Sequence, residues 1–309
     1  MFHACQEIKS LRHRLATALA SIPNPTSSRD TPGDVGTTVT APGEYVRGSA
    51  RETAAVNFKR LQESLRSLEE YGKSQGERFA REIEAIRYAS YTLEAVFQND
   101  SPLRERIAAA KLYVLLTGSQ CTASLDWTIR EAVAGGATAF QLREKTLGDA
   151  ELLARARNVR RWTRETNTLF LVNDRPDIAR LADADGVHLG QVDLPVASAR
   201  AILGPNKLVG VSTHTGEQIR SAVLAGADYL GVGPVFPSAT KSFDRFPGLD
   251  FIRYTAEATS LPCFALGGIS TSNVGEIVAA GMRRIAVASA ITTVDEPRLA
   301  ARQLATALE

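Results

Sequence analysis

The chain has 309 residues, of which 44% are hydrophobic, and its 36 Lys and Arg residues nearly balance its 34 Asp and Glu residues. This composition is typical of a folded globular protein and excludes a disordered chain. The formal net charge of only +2 gives no reason to expect nucleic acid or an anionic membrane as a partner. At this length we expect one large α/β domain and a smaller companion.

The cysteines and the start of the chain indicate where the protein works. Cys5, Cys121 and Cys263 are widely spaced and form no C-x-x-C pair, which predicts reduced thiols and a cytoplasmic protein. No stretch approaches the roughly 18 apolar residues that a membrane span needs. The first residues run directly into an amphipathic helix pattern, so we expect neither export nor membrane insertion.

Residues 1–108 have the apolar spacing of helices. Glu7–Leu19 follows a helical pattern, and Pro23–Ala50 is rich in Pro, Gly, Ser and Thr. A 3-4-3 apolar spacing then occurs twice, at Phe58, Leu61, Leu65 and Leu68 and again at Ile83, Ile86, Leu93 and Phe97. These patterns predict a small all-α domain. Because three helices bury little apolar surface, we expect it to pack on the rest of the chain, on a second copy in a homo-oligomer, or on another component.

Residues 109–309 alternate between strand-like and helix-like patterns about every 25 residues, as βα units of a parallel sheet do. The eight predicted strands are Leu112–Leu116, Ala137–Leu142, Leu169–Val172, Gly186–Leu189, Leu208–Ser212, Tyr229–Val232, Cys263–Leu266 and Ile285–Ala288. Eight units in about 200 residues favour an α/β fold of the (β/α)₈ TIM-barrel type, since a doubly wound sheet more often stops at five or six strands. In such a barrel the chemistry lies just after each strand.

Charged residues follow several of these strands. Asp174 and Asp193 follow neighbouring strands and are hard oxygen ligands, which suit Mg²⁺ bound together with a substrate phosphate. Arg143, Lys145 and Lys241 follow other strands and would surround a diphosphate with positive charge. A single Asp at a strand end is as often a helix cap or a turn residue, but two carboxylates with three cations predict a metal-assisted diphosphate site.

A second anion site is predicted at the last two strands. Gly267 and Gly268 close strand seven, and Ala288 and Ser289 close strand eight, where barrels commonly bind a phosphate through backbone N–H groups. Two different anion sites suggest two phosphorylated substrates. The sequence has no nucleophile motif and no H-E-x-x-H. His188, inside strand four, is better explained as a core histidine than as a base, while for His214 both interpretations stay open.

Six strand ends together resemble the thiamine-phosphate synthase family, in order and over residues 111–295. The matching segments are Gln141–Lys145, Val172–Asp174, His188–Asp193, Gly210–His214, Gly233–Lys241 and Leu266–Ile269. The resemblance implies condensation of hydroxymethylpyrimidine diphosphate with a thiazole phosphate to give thiamine phosphate and pyrophosphate. It also implies Mg²⁺ as the cofactor and these two small molecules as the substrates.

The same resemblance implies a role for each site residue. The pyrimidine diphosphate would be bound by Gln141, Leu142, Arg143, Glu144, Lys145, Asn173, Ser212 and Lys241. Of these, Lys241, Arg143, Lys145 and Ser212 would act in catalysis. Asp174 and Asp193 would bind Mg²⁺. The thiazole phosphate would be bound by Ser238, Ala239, Thr240, Gly268, Ala288 and Ser289.

The helical part resembles a different family. Arg29–Thr37 and Asn57–Tyr71 are similar to the helical domain that is fused to some bacterial thiamine-phosphate synthases and that is similar to a hydroxymethylpyrimidine-phosphate kinase. In that pattern one more helix usually precedes the first one seen here. The resemblance implies that this domain could make the diphosphate, while an amphipathic helix and a Pro/Gly turn remain an equally good explanation of the two segments.

Two other functions stay open for the barrel. A related isomerase that tautomerises a thiazole phosphate would keep the monophosphate site but would not need the pair Asp174 and Asp193. A non-catalytic phosphate-binding barrel would release no pyrophosphate.

Overall fold

The computed structural model describes residues 2–20, 22, 50–98, 102–237 and 247–309. By its internal contacts the chain divides into two compact units, one of Ala4–Asn99 and one that includes Asp100–Glu309. No helix in these ranges is long and apolar enough to cross a membrane.

The first unit is helical, with α1 at Phe2–Leu19, α2 at Ala50–Gly72 and α3 at Glu77–Gln98. Its core is formed by the apolar faces of all three helices, namely Leu11, Leu65, Ile83, Ile86 and Leu93. Glu69 of α2 and Arg87 of α3 form a buried ion pair at 2.7 Å between these faces. Thus the predicted helical character is confirmed; α1 begins five residues before the predicted Glu7, and residues 23–49 lie outside the described part.

The second unit is a closed barrel of eight parallel strands in sequence order. The strands are β1 Leu112–Leu116, β2 Ala139–Leu142, β3 Leu169–Asn173, β4 Gly186–Leu189, β5 Leu208–Thr213, β6 Tyr229–Val232, β7 Cys263–Leu266 and β8 Ile285–Val287. The helices are α4 Pro102–Ala109, α5 Leu125–Ala134, α6 Asp149–Glu165, α7 Pro176–Leu181, α8 Val196–Leu203, α9 Gly216–Leu224, α10 Gly248–Ala258, α11 Val274–Ala279, α12 Ser289–Thr292 and α13 Pro297–Ala307. The TIM-barrel prediction is confirmed, and each strand lies within two residues of its predicted bounds.

Successive side chains along each strand belong alternately to two hydrophobic cores, one between the barrel and its helices and one inside the barrel. Val114, Phe140 and Val172 face outward and pack with the helices, whereas Tyr113 and Leu171 face into the barrel. Because successive side chains point to opposite faces of a strand, every second residue reaches the interior. The polar residues at the last inward positions are therefore brought to one end of the barrel.

Helix α4 belongs to the barrel. Its residue Ile107, together with the following Ala110, is buried in the inner core with Leu169 and Leu208. Leu169 and Leu208 begin their strands, so this contact lies at the amino-terminal end of the barrel. By internal contacts the division of the chain falls near residue 100, ahead of the predicted boundary at 108, because α4 buries its apolar side chain inside the barrel.

Candidate active site at the carboxyl end of the barrel

A cavity of about 340 Å³ opens at the carboxyl ends of the strands, and residues from all eight strands line it. It contains most of the predicted site residues, namely Gln141, Arg143, Lys145, Asn173, Asp174, Asp193, Ser212, Gly268, Ala288 and Ser289. The structure thus brings the predicted residues of both anion sites around one cavity.

Two predicted substrate-binding side chains point elsewhere. Leu142 is fully buried in the outer core between the barrel and its helices, because it follows the inward-facing Gln141 by one residue. Glu144 turns away from the cavity, and its carboxylate, 3% exposed, pairs with Arg155 at 2.6 Å. Neither residue lines the cavity, and the predicted contacts of both with substrate stay predictions from the sequence.

Four further predicted residues, Ser238, Ala239, Thr240 and Lys241, lie in the segment 238–246, outside the described residues. Their roles stay predictions from the sequence.

The two aspartates meet at the edge of the cavity. Asp174 directly follows β3 with a left-handed backbone, φ 61°, which Asp tolerates better than most residues. Its backbone N–H donates to the carbonyl oxygen of His188 at 2.8 Å, which ties the end of β3 to β4. Asp193 is held in the loop after β4, where its Oδ2 accepts a hydrogen bond from the Gly190 N–H at 2.6 Å.

The charges around these carboxyls are uneven. Burial raises the pKa of Asp193, and the neighbouring Asp174 carboxyl raises it further. Lys145 forms an ion pair with Asp174. Two adjacent carboxylates with one ammonium group leave negative charge that a further cation would neutralise.

This pair of carboxylates suits a hard divalent ion. Within the described ranges no group of three or more His, Cys, Asp or Glu side chains could hold a metal, so a dense protein cage of such ligands is not found there. Mg²⁺ needs no such cage, because it commonly takes one or two carboxylates and fills its remaining positions with water and substrate phosphate.

A buried chain of hydrogen bonds crosses the barrel below the two aspartates. Gln141 Nε2 donates to the hydroxyl of Tyr113 at 2.8 Å, and that hydroxyl lies 3.2 Å from the hydroxyl of Tyr229. His188 Nδ1 is 3.0 Å from the Tyr229 hydroxyl, and its Nε2 is 2.9 Å from Ser212 Oγ. The chain therefore joins the predicted substrate-binding residues Gln141 and Ser212 across the barrel.

The sequence reasoning missed Tyr113 and Tyr229, although both occupy inward strand positions where a hydroxyl stands out among apolar residues. For His188 the structure agrees with a hydrogen-bonded core histidine, because burial lowers its pKa to about 4 and keeps it neutral. His214 lines the cavity, and its Nδ1 contacts the carbonyl oxygen of Gly233.

The loop after β7 closes another side of the cavity. Gly267 and Gly268 both have left-handed backbones, with φ of 98° and 63°, and a β-carbon on Gly268 would overlap the carbonyl oxygen of Pro237. Only glycine fits this conformation and contact without strain. Gly268 lines the cavity, as do Ala288 and Ser289.

Comparison with known proteins agrees with this geometry. Residues 112–291 match the family model described as thiamine monophosphate synthase, and residues 2–96 match the ThiD2 family.

Curated relatives extend the similarity to nearly the whole chain. The thiamine-phosphate synthase of Nostoc punctiforme is 39% identical over 96% of this chain and 83% of its own length. That of Gloeobacter violaceus is 44% identical over 88% of this chain and 78% of its own. Among solved structures, thiamine phosphate pyrophosphorylase from Pyrococcus furiosus is 37% identical with a TM-score of 0.60, over 67% of this chain and 97% of its own. The chain belongs to the thiamine-phosphate synthase family.

Proposed function

We propose that the barrel joins hydroxymethylpyrimidine diphosphate to a thiazole phosphate, forming thiamine phosphate and releasing pyrophosphate, with Mg²⁺ bound by Asp174 and Asp193. The observation that carries this proposal is the meeting of these two carboxyls beside Lys145 at the cavity. Family membership supports the overall reaction, and the charges at the cavity support the assignment of residues to it.

The diphosphate end of the first substrate belongs near the loops that follow β2, β3 and β4. Arg143 and Lys145 offer positive charge there, and their donors attract diphosphate oxygens. Mg²⁺, when bound to the two aspartates, supplies neutralising charge to the diphosphate as a leaving group. The chain holds these groups in place before the reaction, which lowers the cost of separating charge in the transition state.

The pyrimidine end belongs deeper in the cavity, where Gln141, Asn173 and Ser212 provide hydrogen-bonding groups. The bond between the methylene carbon and the diphosphate oxygen breaks with its electron pair leaving on pyrophosphate. The aminopyrimidine ring stabilises the resulting cation, and the thiazole nitrogen then forms the new carbon–nitrogen bond with its own electron pair. No protein nucleophile is required, so the residues contribute position and charge.

The thiazole phosphate belongs against the ends of β7 and β8. Gly268, Ala288 and Ser289 all line the cavity, which supports this assignment, and backbone N–H groups in such a place suit a phosphate monoester without a metal. The sequence adds Ser238, Ala239 and Thr240 to this site and Lys241 to the diphosphate site.

One assay tests the reaction against its alternatives. The full chain is mixed with both substrates and Mg²⁺, and thiamine phosphate and pyrophosphate are measured. Equal release of both is expected. A thiazole phosphate tautomerase would change only the thiazole compound, and a non-catalytic barrel would leave both substrates intact; either result would overturn the proposal.

We also propose that the helical domain, which contains α1 to α3, phosphorylates hydroxymethylpyrimidine phosphate to the diphosphate. The match of residues 2–96 to the ThiD2 family and the resemblance of Arg29–Thr37 and Asn57–Tyr71 to a kinase-like domain support it; residues 29–37 lie outside the described part. Thiamine phosphate formed from the pyrimidine monophosphate, ATP, Mg²⁺ and thiazole phosphate is the expected result. Product formed only from preformed diphosphate would overturn the kinase proposal and leave the synthase proposal intact.

A further inference from the structure

The hydrogen-bond chain from Gln141 to Ser212 contains groups that can each donate only a limited number of protons. A tyrosine hydroxyl has one proton, and a neutral imidazole has one N–H and one acceptor nitrogen. Because each buried proton in this series also needs an acceptor, the direction of the bond at Gln141 sets the directions of the others.

The Gln141 end sets that direction. Its Nε2 donates to the Tyr113 oxygen at 2.8 Å. Because Tyr113 is buried and a buried hydroxyl proton without an acceptor is costly, the Tyr113 proton goes to the neighbouring Tyr229 oxygen at 3.2 Å. Tyr229 then donates to His188 Nδ1. His188 therefore carries its proton on Nε2 and donates it to Ser212 Oγ. The Ser212 hydroxyl accepts from His188 in this series of hydrogen bonds and does not donate its own proton to any member of the series.

From this order we infer that Tyr113, Tyr229 and His188 are positioning residues, which fix Ser212 as a hydrogen-bond donor toward an acceptor atom of the pyrimidine diphosphate. The inference rests on the proposed function of the barrel for the identity of that substrate. At the Gln141 end of the hydrogen-bond series, the bond to Tyr113 holds the side-chain amide in place. The amide carbonyl oxygen and the second N–H then remain available to the substrate.

Burial makes the arrangement stable. Tyr113 is 1% exposed, Tyr229 is 0% exposed and His188 is 6% exposed, so water is largely excluded as a competing partner. His188 has one hydroxyl partner at each ring nitrogen, and a neutral ring has the acceptor nitrogen that this arrangement requires. Phe264 packs edge-on against both tyrosine rings, with centroids 5.3 and 5.8 Å away, which restrains the rings in this geometry.

The opposite direction would have a different chemical outcome. If the Gln141 carbonyl oxygen faced Tyr113, every proton would reverse, His188 would carry its proton on Nδ1, and Ser212 would spend its proton on His188. Because the Ser212 hydroxyl has one proton and would donate it to His188, Ser212 could only accept a hydrogen bond from the substrate. The tautomer of His188 therefore distinguishes the two arrangements.

The tautomer can be measured by ¹⁵N NMR on the full chain labelled at histidine, with the His188 signals identified by their loss in His188→Gln. At pH 7.5 the wild-type chain is expected to show a protonated Nε2 and an unprotonated Nδ1. A proton on Nδ1 would overturn the inference.

Kinetics test the consequence for the substrate. Tyr229→Phe removes only the hydroxyl and keeps the ring packing, so we expect about a tenfold rise in KM for the pyrimidine diphosphate, as for one misaligned hydrogen bond. The KM for the thiazole phosphate should stay close to wild type, while the thermal midpoint should fall by a few degrees, because buried polar atoms of Tyr113 and His188 lose a partner. Tyr113→Phe removes the partner of the Gln141 amide and should also raise the KM for the pyrimidine diphosphate. The control is Tyr254→Phe, at a half-exposed position on α10, which should change the KM of neither substrate.

The outcomes separate this inference from the proposed function. Wild-type turnover with unchanged pyrimidine kinetics in both Tyr229→Phe and Tyr113→Phe would overturn the inference alone, since a purely structural role predicts that result. A wild-type chain that formed no thiamine phosphate would overturn the proposed function, and with it the role of Ser212 toward this substrate.

Discussion

Glu144 and Arg155 form an ion pair that joins the loop after β2 to helix α6, with 2.6 Å between Glu144 Oε1 and Arg155 Nη1. The same Oε1 accepts a hydrogen bond from the Gly118 N–H at 2.8 Å, and Thr117 Oγ1 donates to the Arg143 carbonyl oxygen at 2.7 Å. The loop that carries Arg143 and Lys145 is thereby tied to the end of β1. Glu144 therefore restrains the loop that carries Arg143 and Lys145, while its own side chain does not line the cavity.

Arg155→Ala should therefore lower both stability and activity. It leaves the Glu144 carboxylate, 3% exposed, without its charge partner, and we expect a loss of about 2 kcal/mol in the free energy of unfolding. Urea denaturation checks this value. Arg298→Ala is the matched control, because its ion pair with Glu131 is more exposed and its loss should cost under about 1 kcal/mol. Equal losses in the two variants would contradict the supporting role of Glu144.

Asp174→Asn should reduce the rate of thiamine phosphate formation roughly a hundredfold at saturating substrates, because charge stabilisation of the leaving diphosphate weakens. The rate is measured over a range of Mg²⁺ concentrations, and the requirement for Mg²⁺ should rise. Asp250→Asn, whose carboxylate is 96% exposed on α10, should behave like wild type. A rate near wild type for Asp174→Asn at saturating Mg²⁺ would exclude the proposed metal site.

The stability of the barrel should depend on the protonation of His188. Burial lowers the pKa of His188 from its ordinary 6.5 to about 4, so between these values the unfolded chain binds a proton that the folded chain does not. The part of the free energy of unfolding that comes from this pKa difference is fully present above pH 6.5 and is lost as the pH falls toward 4. Between pH 7.5 and pH 5 the loss should be about 2 kcal/mol.

His188→Gln isolates that contribution, because it removes the titrating ring. In urea unfolding, the free-energy difference between wild type and variant should shrink by about 2 kcal/mol from pH 7.5 to pH 5. A difference that stays constant with pH would show that His188 does not titrate in this way.

Gly210→Ala should destabilise the barrel by about 2 kcal/mol through overpacking. A β-carbon at this position in β5 would overlap the ring of Tyr229, which is fully buried and cannot move aside. Gly275→Ala in α11 meets no atom within 4 Å and should be neutral or slightly stabilising, because alanine favours a helix. Thermal or urea unfolding of the two variants compares them directly, and equal stabilities would contradict the tight packing around Tyr229.

The pattern of strands and helices was readable from the sequence because it depends on local apolar spacing. All eight strands were predicted within two residues of their observed bounds. Once a closed parallel barrel was expected, its symmetry alone predicted that Arg143, Asp174, Asp193 and Ser212 would meet, since the carboxyl ends of all strands converge at one end.

The tertiary structure decided which way individual side chains point and which distant residues touch. It turned Glu144 toward Arg155, buried Leu142 against the helices, and brought Tyr113 to Tyr229, 116 residues further along the chain. These contacts depend on strand stagger, on barrel closure and on the left-handed backbone at Asp174, none of which leaves a mark in local apolar spacing. The sequence by itself determined the fold and the residues available at the carboxyl end of the barrel; only the folded barrel decided which of them face the cavity, because that choice is made by long-range packing.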